Sequence, residues 1–165
     1  MADSPRIDVP DGPGGPPRQV WNLRPEMIPA ITAMIEGPYK HSRLPVRERE
    51  AARVRIAELN DCRICRDFRA RSVVAGGATE DLYAHVAEAH QHGHYTDRER
   101  LAIEFAERFV LDHSGMDDEL FARLRTAFAD DEILDLTICC GAFLGLGRML
   151  AVLGIEPIED GGTHA

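Results

Sequence analysis

The chain has 165 residues, 44% of them hydrophobic and 28% charged, which suits one compact domain with a sizeable core rather than a multidomain array. Its 28 acidic against 19 basic side chains give a formal net charge of −9. A phosphate backbone calls for the opposite sign, so no nucleic-acid partner is expected.

Residues 1–18 hold five of the ten prolines and three glycines and have little apolar surface to offset ordering, so a disordered tail is expected there. The opening Met-Ala-Asp-Ser-Pro-Arg lacks the basic segment and apolar run of a secretory signal, and a cytoplasmic location is expected. From Gln19 onward Val20, Trp21, Leu23, Met27, Ile28, Ile31, Met34 and Ile35 recur at three- and four-residue spacings. Pro25 suits the first turn of a helix there, and Gly37-Pro38 is read as its stop.

Val46 to Leu59 is rich in helix formers, and Asn60-Asp61 supplies a break and an N-cap for a helix from Cys62 to about Val74, ended by Gly76-Gly77. Thr79 with Glu80-Asp81 opens another helix, which fades at Gln91-His92-Gly93-His94. Thr96 and Glu99 match a capping box for the helix carrying Leu101, Phe105 and Phe109, closed by Ser114-Gly115. Asp117 or Asp118 begins a helix with Leu120, Phe121, Leu124 and Phe128, and the last helix runs from about Asp131 to Leu153, ending at Gly154.

No segment alternates with period two between hairpin turns, so the expected fold is all-α, a bundle of six or seven helices over 19–156, with a flexible tail at 157–165. The apolar stretch Ile133 to Ile155 is interrupted by Asp135 and Arg148. Its uncharged run from Leu136 to Gly147 is shorter than the ~20 residues that cross a bilayer, so it reads as a buried helix and no membrane partner is expected. Gly141, Gly145 and Gly147 within it each cost about 1 kcal/mol relative to Ala, which points to a closely approaching helix backbone, in this subunit or another.

The four cysteines fall in two close pairs, Cys62/Cys65 and Cys139/Cys140, unlike the spread framework of a disulfide scaffold. Cys139-Cys140 lies in the apolar helix and is read as core. Cys62-Arg63-Ile64-Cys65 opens a helix, where unpaired N–H groups and the helix dipole favour thiolates, and two such thiols can cycle between dithiol and disulfide. If helices 46–59 and 62–74 form a hairpin about Asn60, Glu50 lies ten residues before the turn and Arg69 nine after it. Arg69 is also four residues beyond Cys65 on a continuous helix. Spacing therefore predicts one cluster of Glu50, Arg69 and Cys65, with the guanidinium favouring the Cys65 thiolate. The Glu50–Arg69 pair could equally be an ordinary interhelical ion pair.

The stretches Arg47-Glu48-Arg49-Glu50, Arg55-Ile56-Ala57-Glu58-Leu59-Asn60-Asp61-Cys62-Arg63-Ile64-Cys65 and Gly76-Gly77-Ala78-Thr79-Glu80-Asp81 resemble the carboxymuconolactone decarboxylase superfamily, and within it the alkylhydroperoxidase D-like proteins. The specific element is a Glu twelve residues before a C-x-x-C; a looser likeness covers roughly residues 20–155. The resemblance implies an all-helical homo-oligomer, a trimer or hexamer, that reduces organic hydroperoxides and is re-reduced by an external dithiol, with no cofactor. It implies Cys65 as the attacking cysteine, Cys62 as the resolving one and Glu50 as proton acceptor. Helix position alone leaves the order of the cysteines open, since Cys62 is nearer the N-terminus. The family pattern has histidines where this chain has Ile64 and Arg69, and an arginine cannot shuttle protons near neutrality.

Two other readings follow from the same residues: a lactone decarboxylase of the superfamily, which has no use for two thiols, and a non-catalytic helical oligomer with a vestigial motif. His85, His90, His92 and His94 beside a C-x-x-C invite a zinc reading, but their spacing matches no compact zinc motif. No metal is expected, and these are read as surface or interface imidazoles, one of them a candidate for the missing proton relay.

Overall fold

The computed structural model describes residues 5–157, and their secondary structure is helical, with no strand among the described residues. The all-α expectation holds. Six helices have seven residues or more: α1 (Gly15–Trp21), α2 (Ile28–His41), α3 (Val46–Leu59), α7 (Asp97–Leu111), α8 (Asp118–Ala127) and α9 (Asp130–Leu153). Three five-residue helices, α4 (Arg63–Asp67), α5 (Arg71–Ala75) and α6 (Glu80–Ala84), join α3 to α7. The C-terminal tail expected at 157–165 lies, apart from Pro157, outside the described residues, as do the first four residues of the N-terminal tail.

Several boundaries differ from the sequence reading for local physical reasons. α1 begins at Gly15, inside the segment expected as a tail, with proline in its first turn where no N–H is needed. Ahead of it, the Arg6 N–H donates to the Leu153 carbonyl at 2.9 Å, which ties the leading segment to the end of α9. Gly37-Pro38 does not stop α2, which continues to His41 with Pro38 buried inside it. An interior proline costs a helix about 3 kcal/mol, so the packing of α2 on α9 has to outweigh that loss. The helix expected over 62–74 breaks into α4 and α5, because Phe68 and Ala70 adopt extended backbone. Three caps agree with the sequence reading: the Thr96/Glu99 box opens α7, the Asp117 carboxylate accepts from Leu120 N–H, and Gly154 ends α9 in the left-handed region at φ 67°; the N-cap of α4, however, is Cys62 and not Asn60 or Asp61.

α3 is the axis of the fold. One side of it packs with Phe105, Leu120, Leu124, Leu136 and Cys140 from α7, α8 and α9. The opposite side packs with Val73, Leu82, Val86, Tyr95 and Ile103. Being covered on two sides, α3 also buries charged residues, Glu48, Arg49, Glu50 and Arg53. The pairs Arg47–Glu99 and Arg55–Glu107 both join residues 52 apart in sequence, at 2.6 and 2.7 Å, so α3 and α7 run in the same direction and in register. Arg98 extends this lattice by bonding both Glu48 and Glu132, at 3.0 and 2.9 Å.

α9 is long and apolar enough to cross a membrane by length and composition, yet one face of it, with Ile133, Leu136, Cys139, Cys140 and Leu150, lies in the core. The expectation of a buried helix holds for that face alone, because Leu134, Ile138, Met149 and Val152 are exposed on the helix. Within the chain, Gly147 meets side chains and not an approaching helix backbone. A Cβ on Gly147 would sit 2.8 Å from Asn60 Nδ2 and 3.4 Å from Cys65 Sγ, whereas Gly141 faces open space. The close neighbour is a side-chain amide and a sulfur, both belonging to the candidate site.

Candidate active site

The turn after α3 is made by Asn60 in helical backbone and Asp61 in the left-handed region at φ 50°. It delivers Cys62 as the N-cap of α4, whose Sγ accepts from the Cys65 N–H at 3.3 Å. Cys62 and Cys65 are joined as a disulfide. Cys62 is buried and Cys65 is half-buried, so the second cysteine is the more exposed residue of the pair. Around them stand Val20 and Trp21 of α1, Ile64, and Leu150 and Leu153 of α9, an apolar wall.

Beside the wall, Asn60 donates to the Leu144 carbonyl at 3.1 Å and accepts from Arg148 Nε at 3.1 Å. Asn60 and Arg148 line a cleft of about 320 Å³ with Asp61, Gly154 and Glu156. Asn60 and Cys65 both reach Gly147, so the cleft and the disulfide share a wall.

Glu50 is fully buried on α3. Its Oε1 accepts from Arg53 Nη2 at 2.7 Å and from the Tyr83 hydroxyl at 2.9 Å, while Oε2 has no hydrogen-bond partner. Arg53 reaches across the turn, donating through Nη1 to the Cys65 carbonyl and through Nη2 to the Phe68 carbonyl at 3.2 Å. One guanidinium thus links the buried carboxylate to the backbone of the second cysteine. Burial opposes the charge on Arg53, but the hydrogen bond and charge of Glu50 outweigh it and hold its pKa above the usual value. Burial and the neighbouring Glu50 push the Tyr83 hydroxyl up, so it stays a proton donor at neutral pH.

Of the predicted cluster, Glu50 and the Cys65 backbone are linked through Arg53, and Arg69 lies elsewhere. Arg69 bonds Glu80 at 3.1 Å and lies over the Tyr83 ring at 3.5 Å, so it approaches Glu50 only through Tyr83. Arg69 does not sit one helical turn beyond Cys65, because the helix breaks at Phe68. Arg53 and Tyr83 were missed; the i,i+3 spacing of Glu50 and Arg53 was the available signal for the first. The histidines lie apart: His85 and His92 stack on each other, His94 is near His92, and His90 lines a separate cleft with Arg98 and Glu104. Burial raises the Cys139 thiol to about 11 and Cys140 well above its ordinary value, which makes the second pair a packing element, as expected.

No family model matches the chain. It is 29% identical over 133 residues to the uncharacterized protein YnjA of Escherichia coli K12, covering 79% of this chain and 71% of that one. It is 24% identical over 135 residues to the uncharacterized protein YdfG of Bacillus subtilis 168, covering 81% and 91%. Among solved structures, a protein of unknown function from Agrobacterium tumefaciens, provisionally named as the antioxidant defence protein AhpD, superposes with TM-score 0.77 at 22% identity, over 94% of this chain and all of that one. An uncharacterized peroxidase-related protein from Silicibacter sp. TM1040 gives TM-score 0.75 at 19% identity, over 96% and 94%. The chain shares the all-helical fold of these two solved structures, and the likeness read from the motif holds at that level.

The different standing of the two arginine pairs is measurable. Glu50→Ala leaves the Arg53 guanidinium buried without its carboxylate and should cost about 3–5 kcal/mol in urea unfolding. Arg69→Ala breaks a pair whose Glu80 side chain is largely exposed and should cost about 0–1 kcal/mol. Equal losses would contradict the arrangement.

Proposed function

We propose that the protein is a thiol-dependent hydroperoxide reductase working through a Cys62/Cys65 dithiol–disulfide cycle. The observation that carries this reading is the disulfide itself, with the more open Cys65 tied through Arg53 to a buried carboxylate that has a free oxygen. Glu50 takes the Cys65 thiol proton, directly or through one water. The thiolate attacks a peroxide oxygen, an S–O bond forms as O–O breaks, and the alkoxide leaves as the alcohol with that proton. Cys65 is then a sulfenic acid. Cys62 attacks its sulfur, an S–S bond forms, and hydroxide departs with the Cys62 proton as water.

An external dithiol attacks the Cys65 sulfur and expels Cys62 as thiolate; the donor becomes a disulfide and both thiols are restored. The Cys65 N–H on Cys62 Sγ supports that leaving group. Arg53, fixed between Glu50 and the Cys65 carbonyl, supplies the positive charge that spacing had ascribed to Arg69. The apolar wall of Val20, Trp21 and Leu150 suits an organic hydroperoxide.

A steady-state assay with an organic hydroperoxide and a small dithiol tests this. Wild type should turn over; Cys65→Ser should abolish turnover, and Cys62→Ser should stop after one equivalent with a trappable sulfenic acid. Glu50→Gln should lower kcat/KM at least about 100-fold. No turnover with wild type, or turnover that survives Cys65→Ser, contradicts the reading, and a lactone decarboxylase would keep its activity with both cysteines replaced.

We further propose that copies of the chain associate, in a trimer or hexamer, through the exposed apolar stripe of α9, Leu134, Ile138, Met149 and Val152, continued by Met34 and Ile35 of the adjoining α2. Light scattering should give a multiple of the chain mass, reduced by Ile138→Asp; a monomeric wild type contradicts this.

A further inference from the structure

The hairpin of chain between α6 and α7 carries a group of donors that the peroxide chemistry does not use. His85 caps the end of α6, Glu88 closes the following short 3-10 turn, and His92 comes back over them. The His85 and His92 rings stack with centroids 4.0 Å apart, and His92 Nε2 is 3.4 Å from Glu88 Oε2. One donor atom from each of the three residues falls within 4.8 Å of the others. The alternating H-x-H-x-H spacing hid this set, because its members come from the two ends of a turn and not from neighbouring positions.

The backbone beneath these side chains is held firmly. Arg100 donates to the Ala89 carbonyl at 3.0 Å and the His92 carbonyl at 2.9 Å, and the Tyr95 hydroxyl donates to the Leu82 carbonyl at 2.8 Å. Val86 and Ala89 are buried and anchor the inner side of the turn. Side-chain rotation alone then has to bring the donors to the spacing of a shared ion, with metal–nitrogen bonds of about 2.0–2.1 Å. Two imidazoles and a carboxylate select borderline divalent transition ions over magnesium or calcium, which take all-oxygen shells.

We propose that His85, Glu88 and His92 form a binding site for a divalent transition metal of the zinc type, with the fourth position open to solvent. The ion would fasten the end of α6 to the turn at 88–92. Since α6 also carries Tyr83, the residue that holds Glu50, the site stands one residue-pair away from the buried carboxylate's support.

Titration of untagged protein in its disulfide form tests this, because Cys62 and Cys65 then offer no thiolate and Cys139 and Cys140 are buried. Calorimetry with Zn²⁺ should show about one equivalent bound and none with Mg²⁺, and Co²⁺ should develop visible absorption bands. His85→Ala, Glu88→Gln and His92→Ala should each weaken Zn²⁺ binding at least about tenfold, whereas the exposed His113→Ala should not. Far-UV circular dichroism keeps loss of the fold apart from loss of a ligand. Absence of Zn²⁺ binding by folded wild type, or binding unchanged in the His85→Ala/His92→Ala double variant, overturns the proposal; neither result bears on the hydroperoxide assay.

Discussion

The Arg53 guanidinium holds together parts of the molecule that would otherwise be independent. It is almost wholly buried, pairs with Glu50 one turn earlier on the same helix, and donates through its two terminal nitrogens to the Cys65 and Phe68 carbonyls across the turn, while its Nε has no partner. A buried charge of this kind depends on the carboxylate and carbonyls around it, and removing a partner leaves the rest in a low-dielectric interior. The end of α4, the break at Phe68 and the position of the second cysteine are thereby coupled to one residue of the central helix.

That coupling belongs to a wider pattern in which α3 works as a polar axis inside an apolar bundle. Its buried Glu48 meets Arg98, its Arg47 meets Glu99, and its Arg55 meets Glu107, so the register of α3 against α7 is set by charge pairs as well as by shape. Desolvated pairs add little net stability over apolar residues of the same size, but mispaired registers would strand several charges at once. Such a lattice favours one alignment of α3, and with it one placement of Glu50 relative to the disulfide.

Much of the fold was legible because local chemistry and tertiary packing agree. The bounds of α3, the Thr96/Glu99 box, the Asp117 cap and the Gly154 stop are all short-range signals that the structure keeps. Pro38 shows the opposite case, a local stop signal overruled by packing of α2 on α9. In the site, Glu50, Cys62 and Cys65 could be found from spacing, while Arg69 was misplaced because its argument needed an unbroken helix through Phe68. Tyr83 carries no spacing signal at all: it comes from 33 residues downstream to meet Glu50, and only the fold brings it there. The same is true of His85 and His92, which a turn stacks together.

What the account asserts of the chemistry reduces to the state of one sulfur. Cys65 is the more exposed cysteine residue, its carbonyl is bonded by the Arg53 that pairs with buried Glu50, and under the proposed chemistry its thiol should ionise more readily than a free thiol. The direct measurement is the pH dependence of its alkylation in freshly reduced protein, followed by mass spectrometry at that residue. The account predicts a midpoint clearly below the free-thiol value of about 8.5. A midpoint at or above that value would contradict it.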